Sequence, residues 1–141
     1  MAKLIDGLLD VSRIVSGRIA LDQEVCDLQD VLQEVMQAHM GELEHRGVAL
    51  RVESATHPLW VRGDRVRLGQ TFDNLLSNAV KFTPKGGDIS VEARSDKDQV
   101  VVRIRDTGPG IDASLLPHIF EPFRQAEQNI ARTTGGLGLG L

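Results

Sequence analysis

Residues 70–82, with the sequence QTFDNLLSNAVKF, carry two opposite surfaces if they form one helix. At 3.6 residues per turn, one row of side chains is polar: Gln70, Asn74, Asn78 and Lys81. An amide oxygen can ligate Mg²⁺, which needs few protein ligands when phosphates supply the rest, and a lysine donates to phosphate oxygens. The row could therefore hold a metal-bound polyphosphate, although a solvated face is the commoner explanation of such a pattern.

Hydrophobic periodicity predicts the elements that must position this row. Asp64 is predicted to cap its helix, whose buried stripe is Leu68, Phe72, Leu75, Leu76, Ala79 and Val80. Asp27 is a plausible N-cap for an earlier helix that reaches about Leu43, and Gly47 ends it. The predicted core face of that helix is Leu28, Val31, Leu32, Val35, Met36 and Met40.

Strands account for most of the remaining chain. They are predicted over 18–25, 48–52, 59–61, 88–94 and 99–105, the last two forming a hairpin, and a short helix is predicted from Asp112. Helices that cover one face of a mixed, mostly antiparallel sheet make an α+β fold, a two-layer α/β sandwich preceded by an N-terminal helix.

Two glycine clusters follow the polar row, DTGPG at 106–110 and GGLGLG at 135–140, with IFEPF at 119–123 between them. The order of these four blocks strongly resembles the N, G1, F and G2 boxes of the ATP-binding domain of sensor histidine kinases. That family has the Bergerat ATPase fold. The resemblance covers nearly the whole chain, and four blocks in the right order are far more specific than one glycine motif.

The resemblance implies that the polar row binds Mg²⁺ and ATP. Asn78 matches the asparagine that joins metal and triphosphate, so it is the predicted Mg²⁺ ligand. Asn74, one turn earlier, would line the same site, and Lys81 would neutralise phosphate charge, unless these two side chains are merely solvated. Phe82 lies where the family often has an aromatic residue near the nucleotide, and packing into the core is an equal alternative.

Asp106 follows the strand VVVRIR, where a carboxylate can accept a hydrogen bond from the exocyclic amine of adenine. That contact would select adenine over guanine. The alternative role is to cap the turn at Thr107 and Gly108. Gly108 and Gly110 would let the backbone approach the base and would permit positive φ.

The last block resembles the phosphate-binding G2 box. Backbone amides at Gly136, Gly138 and Gly140 would meet the phosphates, the alternative being a flexible glycine tail. Residues 124–135 would form the ATP lid. Its cations, Arg124 and Arg132, could reach the γ-phosphate or be solvated, and we expect Phe120 and Phe123 to anchor the lid base in the core.

Two expected features of related enzymes are missing from the sequence. Gyrase- and chaperone-type ATPases place a glutamate one turn before the metal asparagine as a base for water. Asn74 occupies that position and cannot take a proton, and Asp73 points about 100° away round the helix. Efficient ATP hydrolysis is therefore not expected, whereas phosphoryl transfer to a positioned nucleophile needs mainly alignment and charge neutralisation.

The second missing feature is the phosphoacceptor, which lies in an H-E/D-x-x-T/N-P setting in the family. None of the four histidines fits, at positions 39, 45, 57 and 118, and His39 and His45 are predicted to be solvated. The resemblance implies that the chain begins inside the second helix of the dimerisation hairpin and stops before the final helix and strands of the sandwich. We expect low stability or weak nucleotide affinity as a consequence.

The N-terminal residues support this domain assignment. Residues 1–17 are interpreted as the end of the dimerisation and phosphotransfer helix, and 18–141 as an ATP-binding domain that is incomplete at its C-terminus. An a/d seam for a partner helix is formed by Leu4, Leu8, Val11 and Val15. The same stripe could pack on its own domain, but we favour the dimer stalk.

Composition sets the broad class. The chain has 141 residues and a formal charge of −4, which argues against a general nucleic-acid binder. Cys26, the single cysteine, is expected to be a buried, reduced thiol. The sequence has no signal peptide and no apolar run of about 18 residues, so a cytoplasmic location is expected, in a full-length protein that could be membrane-anchored.

The implied enzyme is a protein-histidine kinase with ATP and Mg²⁺ as cofactors. Its partners would be its own dimerisation hairpin and a response-regulator receiver domain, and the full-length protein would be a homodimer. Without the acceptor histidine, this chain is not expected to be active alone. The rival interpretations are a degenerate, non-catalytic dimerisation module and an ATP-hydrolysing member of the same superfamily.

Overall fold

The structure, a computed structural model, describes residues 20–121. Asp22–Gly110 forms one compact unit, and residues 111–121 belong to another. The first unit contains, in chain order, β1 (Glu24–Asp27), α1 (Leu28–Arg46), β2 (Ala49–Glu53), β3 (Trp60–Gly63), α2 (Arg65–Phe82), β4 (Asp88–Asp96) and β5 (Gln99–Asp106). The predicted helix at 1–17 lies outside the described residues.

The strands form two sheets. In the larger sheet the order is β2-β4-β5, with β2 parallel and β5 antiparallel to β4, and in the smaller sheet β1 pairs antiparallel with β3. Alternate residues in the first part of β4 are buried, namely Ile89, Val91 and Ala93, and these side chains join one core with both helices. The predicted α+β class and mixed, mostly antiparallel sheet are confirmed.

Asp27 and Asp64 are N-caps, as predicted, of α1 and α2 respectively. Asp27 Oδ1 accepts from the backbone N–H groups of Gln29 at 3.0 Å and Leu59 at 2.9 Å, so it starts α1 and also ties it to the chain that precedes β3. Gly47 ends α1 in the left-handed conformation, with φ 64°. The helix runs to Arg46, slightly beyond the predicted end near Leu43.

Most of the predicted stripe of α2 faces the core. Phe72, Leu76, Ala79 and Val80 are buried, while Leu68 and Leu75 are half-buried. The helix ends at Phe82 because Thr83 adopts an extended conformation, as residues before proline commonly do. The buried Thr83 hydroxyl then donates to the Ala79 carbonyl at 2.6 Å, which holds this last turn.

All five strand predictions differ from the structure at one or both ends, those for β2, β4 and β5 by one or two residues. Of the strand predicted over 18–25, the described residues 20–23 are not in a strand, and β1 starts at Glu24 and extends to Asp27. Its partner β3 offers four residues, and the register runs from Glu24 opposite Gly63 to Asp27 opposite Trp60. β3 starts at Trp60, one residue later than predicted, since the Leu59 N–H bonds to the Asp27 carboxylate instead of a strand.

The helix predicted from Asp112 is also wrong. Between residues 112 and 121, the only helix is a 3-10 helix, Leu116–His118. The Asp112 carboxylate accepts from both the backbone N–H and the hydroxyl of Ser114, which favours a local turn. Pro117 then lacks a backbone donor and disfavours the α conformation at the preceding residue.

Cys26 is buried, as expected for this thiol. Among residues 20–121, none of the helices combines the length and apolar character that a membrane span requires.

The cap at Asp64 predicts a specific pH dependence of stability. Backbone N–H groups of Arg67 and Asp22 donate to its carboxylate, each at 3.1 Å, and the Arg67 donor is the main reason that the pKa of Asp64 lies below its usual value. Folding therefore favours the ionised form. This contribution to stability is complete above the ordinary aspartate pKa of about 3.9 and is lost as pH falls through the lower folded-state value.

Asp64→Asn isolates that contribution, because an asparagine oxygen can still cap the helix but does not titrate. We expect the free energy of unfolding, measured by urea denaturation at a series of acidic pH values, to fall less steeply in this variant than in the unmodified protein. Parallel slopes in the two proteins would show that the cap does not couple to protonation.

Candidate nucleotide-binding site

The polar row lies on one face of α2, as its spacing predicts. Asn74, Asn78 and Lys81 are half-buried, whereas Gln70 is exposed and accepts a hydrogen bond from Arg67 Nη1 at 3.0 Å. Residues four and three apart on a helix lie above one another, so two amides and an ammonium share this face. The arrangement suits a ligand that carries several anionic oxygens and a divalent cation.

Phe82 is the last residue of α2 and directly follows Lys81 of the polar row. Its side chain is 53% exposed, so the alternative of core packing is wrong. The Lys81 ammonium lies 5.2 Å from the centre of the Phe82 ring, within the range of a cation–π contact. An exposed ring beside a lysine offers an apolar surface next to a charged one.

The loop after β5 is anchored by its own polar side chains. Asp106 Oδ1 accepts from the Gly108 N–H at 2.8 Å, which is the turn-capping role considered for this carboxylate. Its second oxygen has no hydrogen-bond partner among residues 20–121. Thr107 fixes the loop to the start of β4, because its hydroxyl accepts from the Asp88 N–H at 2.9 Å and its own N–H donates to the Asp88 carbonyl at 3.1 Å. Asp106 is therefore held by one oxygen and exposes the other.

Gly108 brings this loop against the end of α2. A Cβ atom on Gly108 would lie 2.9 Å from the Phe82 carbonyl oxygen and 2.7 Å from Asp106 Oδ1, so only glycine fits. Gly110 has open space around it, but its φ of 78° favours glycine for conformational reasons. The DTGPG loop and the C-terminal end of α2, where Phe82 follows Lys81 of the polar row, meet at this contact.

Gly108→Ala is expected to lower the free energy of unfolding by about 1–3 kcal/mol, because the new methyl group must displace the Phe82 backbone or the Asp106 carboxylate. It should also weaken ATP binding. Gly41→Ala is the matched control: a Cβ at Gly41, inside α1, meets nothing within 4 Å, and alanine should stabilise that helix by up to about 1 kcal/mol. Thermal melts and nucleotide titrations check both variants, and equal stability of the two would contradict the contact at Phe82.

Several predicted site residues lie outside the described range. They are Arg124, Arg132, Gly136, Gly138 and Gly140, together with Phe123 and the remainder of the 124–135 lid. Phe120 is described, and its side chain is 75% exposed, so the expectation that it anchors the lid base in the core is wrong. The neighbouring His118 Nδ1 lies 2.7 Å from Glu121 Oε1, a local contact one turn apart.

Sequence reasoning missed the role of His39. It was expected to be solvated, but it is 9% exposed, and its Nε2 lies 2.8 Å from Asp73 Oδ1 on α2. Met40, expected in the core, is 40% exposed instead. Asp73 is thus engaged with α1 and does not stand in for the absent glutamate. The helical pattern contains no signal that pairs His39 with a residue 34 positions away.

Comparison with known proteins shows the family to which the chain belongs. Residues 63–141 match the family described as histidine kinase-, DNA gyrase B-, and HSP90-like ATPase. Over 144 residues the chain is 40% identical to the signal transduction histidine-protein kinase BarA of Escherichia coli K12, covering 98% of this chain and 16% of BarA. The chain spans between 16% and 22% of the length of the first curated relatives that it matches.

Solved structures give the same result. Full-length ShkA in complex with AMPPNP has a TM-score of 0.82 at 28% identity, covering 98% of this chain and 28% of ShkA. The histidine kinase ThkA, in complex with the response regulator protein TrrA, has a TM-score of 0.72 at 25% identity, covering 88% of this chain and 38% of that one. The resemblance seen in the sequence motifs is confirmed: the chain belongs to the histidine kinase-, DNA gyrase B- and HSP90-like ATPase family and is an ATP-binding catalytic domain of the histidine kinase type.

Proposed function

We propose that this domain holds Mg²⁺·ATP along α2 and presents the γ-phosphoryl group to a histidine on the dimerisation hairpin of a full-length kinase. The phosphoryl group then passes to an aspartate of a response regulator. In this proposal Asn74, Asn78 and Lys81 hold the metal and phosphates, Phe82 contacts the nucleotide, and Asp106 accepts from the adenine amine. Arg124, Arg132 and the glycines at 136, 138 and 140 complete the phosphate end.

The observation that carries the proposal is the contact between Gly108 and the end of α2. It joins a row of amide and ammonium groups, suited to phosphates and metal, to a loop with an exposed carboxylate oxygen, suited to an amine on a base. A nucleoside triphosphate has both chemistries in one molecule. The family match and the AMPPNP complex of ShkA support the same ligand class.

The residues present fit Mg²⁺. Asn78 supplies a hard amide oxygen, the ligand type that Mg²⁺ prefers, and the ATP phosphates supply further oxygens. When bound, the ion neutralises charge that develops on the phosphates during transfer. Lys81 adds a donor to the same oxygens, and its contact with the Phe82 ring restrains the ammonium near the row.

Transfer to a positioned acceptor is favoured over hydrolysis. Asn74 cannot act as a base, and Asp73, the adjacent carboxylate, points about 100° away round the helix and is hydrogen-bonded to His39. The site therefore aligns and neutralises the triphosphate without activating water. The rival interpretation as an ATP-hydrolysing enzyme expects a glutamate one turn before Asn78, where this chain has Asn74.

The partners follow from the same proposal. A response-regulator receiver is the expected second acceptor, in line with the complex of ThkA with TrrA. We propose that residues 1–17 are the end of the dimerisation helix and that the full-length kinase is a homodimer that works in the cytoplasm.

Calorimetric titration with ATP, with and without Mg²⁺, tests the binding half of the proposal, with GTP as the comparison ligand. We expect saturable binding that Mg²⁺ strengthens and that prefers ATP. A hairpin peptide with an H-E-x-x-T/N-P histidine, added with γ-labelled ATP, tests the transfer half. Label on the histidine supports a kinase, whereas free phosphate released without the peptide supports hydrolysis, and absence of ATP binding by the folded chain supports a degenerate module.

A further inference from the structure

Two polar contacts join α1 to α2 beside the residues proposed to face the nucleotide. His39 Nε2 lies 2.8 Å from Asp73 Oδ1, and Arg46 Nη2 donates to the Lys81 backbone oxygen at 2.9 Å. The two contact points are about two helical turns apart on each helix. Asn74 and Asn78 lie between them along α2.

We propose that His39 and Arg46 are positioning residues that set the rotation and axial position of α2, and with it the direction of Asn74 and Asn78. They would not touch the nucleotide themselves. The inference deepens the proposed function and rests on it, because the side chains that it positions are those assigned to metal and phosphates.

The hydrogen bond between His39 and Asp73 restrains the rotation of α2 about its own axis, which apolar packing alone does not do. Burial of leucines and valines between the helices is non-directional, so it tolerates small rotations, whereas a hydrogen bond weakens steeply when its angle changes. A carboxylate can only accept, so His39 donates to Asp73 through Nε2. Asp73 is adjacent to Asn74 on the same rigid helix, and any rotation that breaks this bond also turns Asn74.

Arg46 holds the other end of α2. The Lys81 carbonyl belongs to the last turn of the helix, where backbone oxygens lack partners within the helix, and a guanidinium there also suits the negative end of the helix dipole. The next residue, Phe82, has the carbonyl that meets Gly108. Arg46 therefore holds the last turn of α2, which carries Lys81 of the phosphate-facing row.

Paired substitutions in the full chain test this role. His39→Leu and Arg46→Met remove each donor, and His39→Gln and Arg46→Lys restore one. His45→Leu is the control, because His45 is exposed on the same helix and no interaction is described for it. The readout is the affinity for Mg²⁺·ATP set against the affinity for adenosine, which lacks the phosphates.

We expect His39→Leu and Arg46→Met to weaken Mg²⁺·ATP binding by about 10- to 100-fold, as expected for a misplaced binding group, with little change for adenosine. The Gln and Lys variants should recover most of the loss. A purely structural role would reduce the folded fraction and weaken both ligands in parallel. A parallel loss, or no loss, would overturn the inference.

A second measurement needs no nucleotide and so separates this inference from the proposed function. In ¹⁵N NMR spectra of the free protein, the side-chain amide signals of Asn74 and Asn78 should shift in His39→Leu and Arg46→Met, return in the rescue variants, and stay in place in His45→Leu. Unchanged Asn signals overturn the positioning role. If the unmodified protein does not bind ATP, the proposed function fails, and the NMR comparison still decides whether the two residues orient this face.

Discussion

Asn78→Ala is expected to lower the affinity for Mg²⁺·ATP by at least about 100-fold while leaving the affinity for metal-free ATP nearly unchanged. Loss of a residue that merely supports a metal ligand commonly costs 10- to 100-fold in affinity, so loss of the protein's own ligand should cost no less. Asn78 lies at the centre of the polar row, between Asn74 and Lys81, on the half-buried face of α2. Calorimetry with and without Mg²⁺ measures both affinities on one protein.

Ser77→Ala is the matched control, because Ser77 precedes Asn78 on an exposed part of the same helix. It should leave both affinities unchanged, and thermal melts should show that both variants remain folded. If Asn78→Ala stays folded and still gains affinity from Mg²⁺, the metal is held by another group, and the assignment of the row to metal and phosphates is wrong.

The parts of the fold that are determined locally could be predicted from the sequence. α2 is the clearest example: Asp64 can cap only a helix that starts beside it, the apolar stripe repeats at 3.6 residues, and Pro84 limits the end. The polar row follows from the same 3.6-residue period, because it is the face of the helix opposite the apolar stripe. For that reason, the predicted helix also places the predicted polar residues on one face.

The parts that depend on distant partners could not be predicted. His39 and Met40 are adjacent on α1, and the sequence pattern alone favours burial of the methionine. The structure buries the histidine because Asp73, from another helix, satisfies its ring nitrogen, which removes the penalty for burying a polar group. The length of β1 is likewise decided by β3, its partner strand, and not by its own alternation.

The order of the motifs predicts the two parts of the proposed site, the polar row and the DTGPG loop. It does not predict where they come into contact. No sequence pattern shows that Gly108 must lie against Phe82, because the glycine could equally serve a positive φ, as Gly110 does. Only the distance from a Cβ on Gly108 to the Phe82 carbonyl distinguishes close approach from conformational freedom. The same geometry places Asp106 beside the end of α2 and fixes which of its oxygens is available.

Because only one carboxylate oxygen of Asp106 is hydrogen-bonded within the loop, we predict that Asp106→Asn changes which base the site prefers. Oδ1 is used by the Gly108 N–H at 2.8 Å, so the exposed second position is the one that would face a base. In aspartate this position accepts a hydrogen bond, which matches the amine of adenine. In asparagine, with its oxygen still on the Gly108 N–H, the same position becomes an NH₂ donor, which matches the carbonyl oxygen of guanine.

We therefore expect Asp106→Asn to lose about 10- to 100-fold in ATP affinity, the value of one hydrogen bond to a charged group, and to gain affinity for GTP. Asp106→Ala separates recognition from loop support, because it loses both oxygens and should weaken binding of both nucleotides. Parallel calorimetric titrations with ATP and GTP measure the ratio of the two affinities in each protein. An asparagine variant that still prefers ATP by the original ratio would mean that Asp106 only caps its turn, and that the adenine is selected by other residues.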